Sequence, residues 1–252
     1  MIKGLYAAAS AMVAGEHRQK LIAHNAANMD TPGFKEIMTT MDDFIDTRAN
    51  FLPGADQKAQ AIYVGDLGLG VETMPDTTDY SEAAFENTGH NLDFAIGGPG
   101  FFRIQTPAGE RLTRDGRFLK DAQGNLTTVE GFKVLDSAGK PIRLADGDIS
   151  VNTQGAIFIN NQAAGQLGIS VFQNPDQDLV RDENNKFIAK GQPTTQVAVS
   201  VQQGFLEGSN VNAAELTTQM VTVARQYEAA QKMVTTQDDL LAKSIGTLGR
   251  GA

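Results

Sequence analysis

Three groups of residues in this 252-residue chain carry side chains that could do chemistry. His17 and His24 lie seven apart, two turns along one side of a helix, so a metal shared between them would need further ligands from elsewhere. No HExxH pattern accompanies them, His90 stands alone, and packed or solvent-facing histidines are the simpler reading. Residues 41–100 hold eleven Asp and Glu against two Lys and Arg, enough carboxylates for an acid–base pair, yet a solvated acidic face supplies the same. Gly97-Gly98-Pro99-Gly100 has the look of a phosphate loop, but no Lys-Ser/Thr follows and Phe101-Phe102 does not open a helix. A glycine turn through Gly98 and Gly100 that feeds a strand fits better. The chain has no Cys, which removes thiol nucleophiles, thiolate metal sites and disulfides. No catalytic residue, metal or cofactor is expected.

The polar groups that stand out are amides. In "IAHNAANMDTPGFK" (22–35), Asn25 and Asn28 lie three apart on one side of a helix that breaks at Thr31-Pro32-Gly33 and lands on Phe34. The stop has a physical cause: the residue before a proline is pushed out of the α region, and glycine tolerates the backbone that follows. Upstream, Ile2, Leu5, Ala9 and Met12 recur at steps of three and four, one face of a helix.

The other end of the chain is more regular. Leu216, Met220, Val223, Tyr227, Ala230, Val234, Gln237 and Leu241 alternate steps of four and three, a heptad seam. The spacing predicts a helix over 212–248, about 55 Å long at 1.5 Å per residue. Between the two ends lie short β-like runs separated by glycine turns: 101–105, 110–114, 117–120, 126–129, 133–136, 156–159 and 168–172. Residues 36–75 read as connecting structure, and 174–186 as a polar surface loop. The expected fold is α+β: long terminal helices that pair as a coiled-coil-like domain (1–35 and 207–252), and a central β-rich domain (76–206), a sandwich or partly closed barrel.

Burying one Leu or Val is worth about 1.5–3 kcal/mol, and each terminal seam is too long and narrow for the other alone to cover. The ends therefore read as a surface for copies of this chain or its relatives. The net charge of −9 gives no footprint for nucleic acid, and no apolar run approaches the roughly 18 residues that span a bilayer. The Ala-rich start "MIKGLYAAASAMVAG" only loosely mimics a signal peptide, and no cleavage is expected.

Three blocks resemble the bacterial flagellar axial proteins of the rod and hook family. The first is "NAANMDTPGFK", at Asn25, Ala27, Asn28, Thr31, Gly33 and Phe34; position 26 is Ala where the family usually has Leu or Ile. The second is "TGHNLDFAIGGPGFFRI" (88–104) with "LTRDGRFLKDAQGNL" (112–126), which includes Gly98, Gly100 and Arg114. The third is "QGFLEGSNVNAAEL" (203–216) with "ARQYEAAQKMVTTQDDLL" (224–241), which includes Glu207, Asn210 and Tyr227.

The resemblance implies a structural subunit of the flagellar basal-body rod, not an enzyme, which polymerises through its terminal helices into the shaft between motor and hook. It implies copies of itself and neighbouring rod subunits as partners. It also implies export without a cleaved signal through the flagellar type III apparatus, and a place in the periplasmic span of the basal body. "TDYSEAAFENTG" and "GFLEGSNVN" lean toward the proximal-rod subunit, with the distal-rod subunit the close alternative. In that setting the implied interface residues are Leu5, Ala9, Met12, Asn25, Asn28, Phe34, Leu216, Met220, Val223, Tyr227, Ala230, Val234 and Leu241. Asn25 and Asn28 would fix register at a helix–helix or subunit seam, while Thr31, Pro32 and Gly33 turn the chain outward. Two other readings stand: a junction or adaptor protein that binds an axial partner and stops, and a periplasmic peptidoglycan hydrolase built on a carboxylate of raised pKa.

Overall fold

The computed structural model describes residues 2–43, 46–51, 62–68, 70–194 and 199–248. Met1 and residues 249–252, the extremities of the expected helical domain, lie outside that set. The chain is α+β, with a helix at each end and strands between. Helix α1 spans Ile2–Ala27, α2 is the short Pro175–Asp178 and α3 spans Ala213–Leu248. The chain forms two compact units. One contains residues 1–26, 37–77 and 213–252; the other contains 27–36 and 78–212.

The first unit holds the two long helices and a set of short antiparallel strands. Residues 36–75, read from sequence as connecting structure, contain paired strands: Met41–Asp43 with Val71–Thr73, and Asp46–Phe51 with Ile62–Gly68. Their pattern was hidden because they are short and glycine-broken, with no sustained period of two. Helix α1 holds them through side chains. Ser10 Oγ accepts the Val71 amide at 3.0 Å, and His17 Nε2 meets Asp76 Oδ1 at 2.8 Å. Among the described residues no cluster of His, Asp and Glu could hold a metal ion.

The second unit is β-rich. Its main sheet has eight strands, ordered 118–120, 126–128, 133–134, 100–106, 109–113, 186–189 and 179–182, with 169–171 also on 100–106. That order has two open ends, and among the described residues no sheet closes on itself. A three-stranded sheet (149–151, 156–159, 162–166) completes the frame. Inward positions of both sheets meet in one core that includes Phe94, Phe102, Ile104, Phe118, Ile157 and Leu167. A second cluster gathers Phe101, Leu112, Phe172, Leu179 and Phe187 on the other side of strand 100–106, because successive residues of a strand face opposite ways. Phe101 and Phe102 therefore serve different cores. Gly98 sits in the turn between strands 94–97 and 100–106 with φ +95°, and a methyl on Gly100 would come 2.7 Å from Ile169.

The expected polar loop over 174–186 is instead α2 followed by strand Leu179–Asp182, hairpinned to Lys186–Ala189. Its turn is Asn184-Asn185, both at positive φ (53° and 57°), a conformation asparagine tolerates. Leu179 is buried and holds the hairpin to the second cluster. The run of charges around it masks the strand.

Candidate functional site: a charged joint and a half-covered helical seam

Helix α1 ends at Ala27, ahead of the Thr31-Pro32-Gly33 break read from sequence, and the chain passes into the second unit. The Thr31 amide donates to Asn28 O at 3.1 Å and Thr31 Oγ1 to Asn28 Oδ1 at 3.3 Å, which forms the turn. Gly33 has φ +67°, and a Cβ there would fall on the Arg114 backbone carbonyl. Its amide donates to Glu207 O at 2.7 Å. Pro32 O accepts Asn185 Nδ2 at 3.3 Å. Phe34 is buried under the Arg181 guanidinium, 4.6 Å from its ring centroid, a cation–π contact.

Behind Phe34 lies a buried ionic cluster. Lys35 is 0% exposed, Glu207 1% and Arg114 3%. Lys35 Nζ donates to Glu207 Oε1 at 2.7 Å and to Ser81 O at 2.5 Å. Arg114 Nη1 donates to Glu207 Oε2 at 3.0 Å and to Ile96 O at 2.9 Å, and its Nη2 to Gly98 O at 2.5 Å. Glu207 Oε1 also accepts the Ala83 amide at 3.1 Å. Burial pushes the Lys35 and Arg114 pKa values down, and the Glu207 charge opposes that shift in both. Asn210 completes the joint. Its Oδ1 accepts the Glu36 amide at 2.7 Å, and its Nδ2 donates to Asp79 O at 2.9 Å and Ser81 Oγ at 3.2 Å. Both oxygens of Glu207 are engaged, so it offers no free face to a substrate. The joint's chemistry is to hold chain segments together.

Sequence reasoning about sites missed Lys35, Arg114, Glu207, Asn210 and Arg181. Four of them, Lys35, Arg114, Glu207 and Asn210, stand in the blocks that carry the family resemblance. Lys35 directly follows the aromatic anchor, a charged residue where the chain has just become apolar.

Asn25 does not act as expected. It is 2% exposed, and its Nδ2 donates to Ile37 O at 2.8 Å while its Oδ1 accepts the Ile37 amide at 3.1 Å. The amide thus pairs with one backbone residue within its own unit, as a strand partner would. Asn28 is half-buried at the turn.

On α1 the buried positions are Ala8, Ala14, Gly15, Ile22 and Asn25; Leu5 and Met12 are half-buried, and Ala9 is exposed. The covered line thus runs 5-8-12-15-22 where the sequence suggested 2-5-9-12. A run of alanines at 7–9 offers no contrast in size or polarity to fix the register. On α3, Leu216, Val223 and Ala230 are buried, seven apart, and Val234 and Leu241 are half-buried. Between those three buried residues the seam is more open: Met220 is 54% exposed and Tyr227 36%. Two α1 glycines face α3. A methyl on Gly15 would come 3.9 Å from Tyr227 Cδ2, and one on Gly4 3.2 Å from Gln237 Nε2. Passing from 4 to 15 on one helix while going from 237 to 227 on the other is an antiparallel sense. Gln237 Oε1 is buried there without a hydrogen-bond partner.

Three family models match the chain. They are the flagella basal body rod protein model over residues 5–35, the FlgE/F/G D1 domain model of flagellar hook proteins over 95–163, and the flagellar basal body rod FlgEFG protein C-terminal model over 202–247. The first ends on Lys35, and the last contains Glu207, Asn210 and nearly all of α3. Curated relatives run the whole length. The flagellar basal-body rod protein FlgF of Rhizobium meliloti is 35% identical over 99% of each chain. FlgG of Bacillus subtilis is 31% identical over 97% of this chain and 98% of its own. FlgG of Agrobacterium fabrum is 33% identical over 95% and 97%. The chain belongs to the flagellar basal-body rod protein family.

Proposed function

We propose that this chain is a structural subunit of the flagellar basal-body rod that polymerises through its terminal helices. Family membership supports the rod assignment, and the relatives include both FlgF and FlgG, so it does not divide the proximal rod from the distal. The motifs "TDYSEAAFENTG" and "GFLEGSNVN" favour the proximal subunit, with the distal one as the alternative.

One observation carries the mechanism. Over its first half helix α3 buries only Leu216, Val223 and Ala230 of its apolar seam, leaving Met220 and part of Tyr227 open, with Val221, Met233 and Leu240 exposed nearby. Antiparallel pairing with α1, coiled-coil-like over the length of the seam, covers one side; neighbouring subunits cover the other. Leu5, Met12, Leu216, Val223, Ala230, Val234 and Leu241 then belong to the internal seam and Met220 to the assembly face, while Tyr227 stands at the margin, its ring beside Gly15 and about a third of it exposed. Ala9, which is exposed, joins that outer face. Phe34 and the Thr31-Pro32-Gly33 turn seat the segment that follows α1 within the β unit. Assembly and the final ordering of the ends are coupled, since anything that binds the ordered form stabilises it. The partners are copies of this chain, adjacent rod subunits and the flagellar export apparatus. The setting is the periplasmic span of the basal body, reached without a cleaved signal.

Met220→Asp with Met233→Asp tests this in sedimentation velocity across a concentration series. Both side chains are exposed, so the monomer should keep its fold. The unaltered chain is expected to grow into large species and the double variant to remain monomeric. Equal growth by both would remove α3 from the assembly contact.

A further inference from the structure

The chain passes between its two compact units at 26/27, 36/37, 77/78 and 212/213. Inside the β unit, residues beside three of those passages are bonded to one another. Asn210 holds the Glu36 amide, Asp79 O and Ser81 Oγ; the Asp79 amide donates to Glu36 O at 2.9 Å; Lys35 reaches Ser81 O and Glu207. The C-terminal partner in all this is a short stretch. Residues 205–207 also form a strand on 85–87, and Gly204 O accepts the Thr88 and Gly89 amides.

The charges make this joint conditional. Two cations, Lys35 and Arg114, share one carboxylate, Glu207, and all three are at most 3% exposed. Glu207 lies 172 positions after Lys35 in the chain. Docking the 31–36 segment before Glu207 is in place would bury Lys35 against Arg114 with no anion between them. An uncompensated buried charge costs more than several ordinary hydrogen bonds return. The Gly33 amide and the Glu36 amide would lack their acceptors on residues 207 and 210 as well.

We infer that Glu207 is the keystone of a latch: segments 31–36 and 79–83 dock on the β unit only once residues 204–210 are seated, so the two ends of the chain are fixed together or not at all. The latch stands on the geometry of the β unit and does not depend on the rod reading. If that reading holds, the consequence is that the segment following α1 is seated only in a chain whose residues 204–210 are already in place.

The stoichiometry of two cations to one anion gives an asymmetric test. Hydrogen exchange is followed by mass spectrometry on the full chain, at a concentration where it is monomeric, for the unaltered protein, E207Q, K35M and N210A. E207Q leaves two unpaired cations, and is expected to speed exchange at 31–36 and 79–83 together by about 100-fold or more, with strands 100–113 unchanged. K35M leaves the Arg114–Glu207 pair balanced and should speed the same amides by less than about tenfold. Faster exchange at 204–210 alone in E207Q, or an equal effect of K35M and E207Q, would overturn the latch. If E207Q loses protection in strands 100–113 as well, N210A decides. It removes three side-chain bonds and no charge, so loosening of 33–37 and 79–82 in concert supports the latch, and loosening of one segment alone refutes it.

Discussion

In the β unit, the Phe118 ring centre lies 6.1 Å from that of Phe94 and 5.1 Å from that of Phe102, and none of the three is more than 2% exposed. Along the 36 residues of α3, only Leu216, Val223 and Ala230 reach comparable burial among the described apolar side chains. One region satisfies its apolar surface internally, through two sheets that face each other. The other presents a line of Leu, Met, Val and Tyr and covers half of it. The β unit has a well-buried core. The helical unit leaves apolar side chains exposed, the area that the proposed assembly would cover.

That contrast can be broken deliberately. Phe102 is 0% exposed at the centre of the β core, so Phe102→Ala is expected to destabilise that unit by about 3–5 kcal/mol in denaturant titration. Protection of α1 and α3 should change far less, if the two cores are energetically separate. A smaller effect of opposite sign is expected on the helical side. Gln237 Oε1 is buried without a partner beside Gly4, so Gln237→Leu should stabilise the α1–α3 contact by about 1 kcal/mol, read as slower exchange in both helices. A loss of protection there would mean that the Gln237 amide contributes more than its apolar replacement.

The sequence was informative where a local rule governs. The break at Thr31-Pro32-Gly33 follows from proline and glycine chemistry, and α3 begins one residue from where its heptads place it. The strands at 101–105, 110–114 and 156–159 show themselves by alternation between glycine turns. Regions governed by distant partners stayed hidden. Ala8 and Ala9 differ in burial because of what packs on them, and nothing in two adjacent alanines records that. Asn25 looked like a seam amide because its partner, the Ile37 backbone, carries no side-chain signal. Lys35 and Glu207 are each ordinary surface residues by type, and only the fold brings them to 2.7 Å. The strand at Leu179–Asp182 hides among charges that belong to its turn and its solvent side.

In the proposed rod assembly the open side of the α3 seam is the buried face, and the β unit stays as it is in the monomer. Hydroxyl-radical footprinting of the unaltered chain, first as monomer and then as polymer, measures this directly. Met220, Tyr227 and Met233 should react readily in the monomer and become protected in the polymer, while Leu119 and Val129, exposed on the β unit at 53% and 57%, keep their reactivity. Polymer whose α3 residues react as fast as in the monomer, with protection moved to Leu119 and Val129, would contradict it.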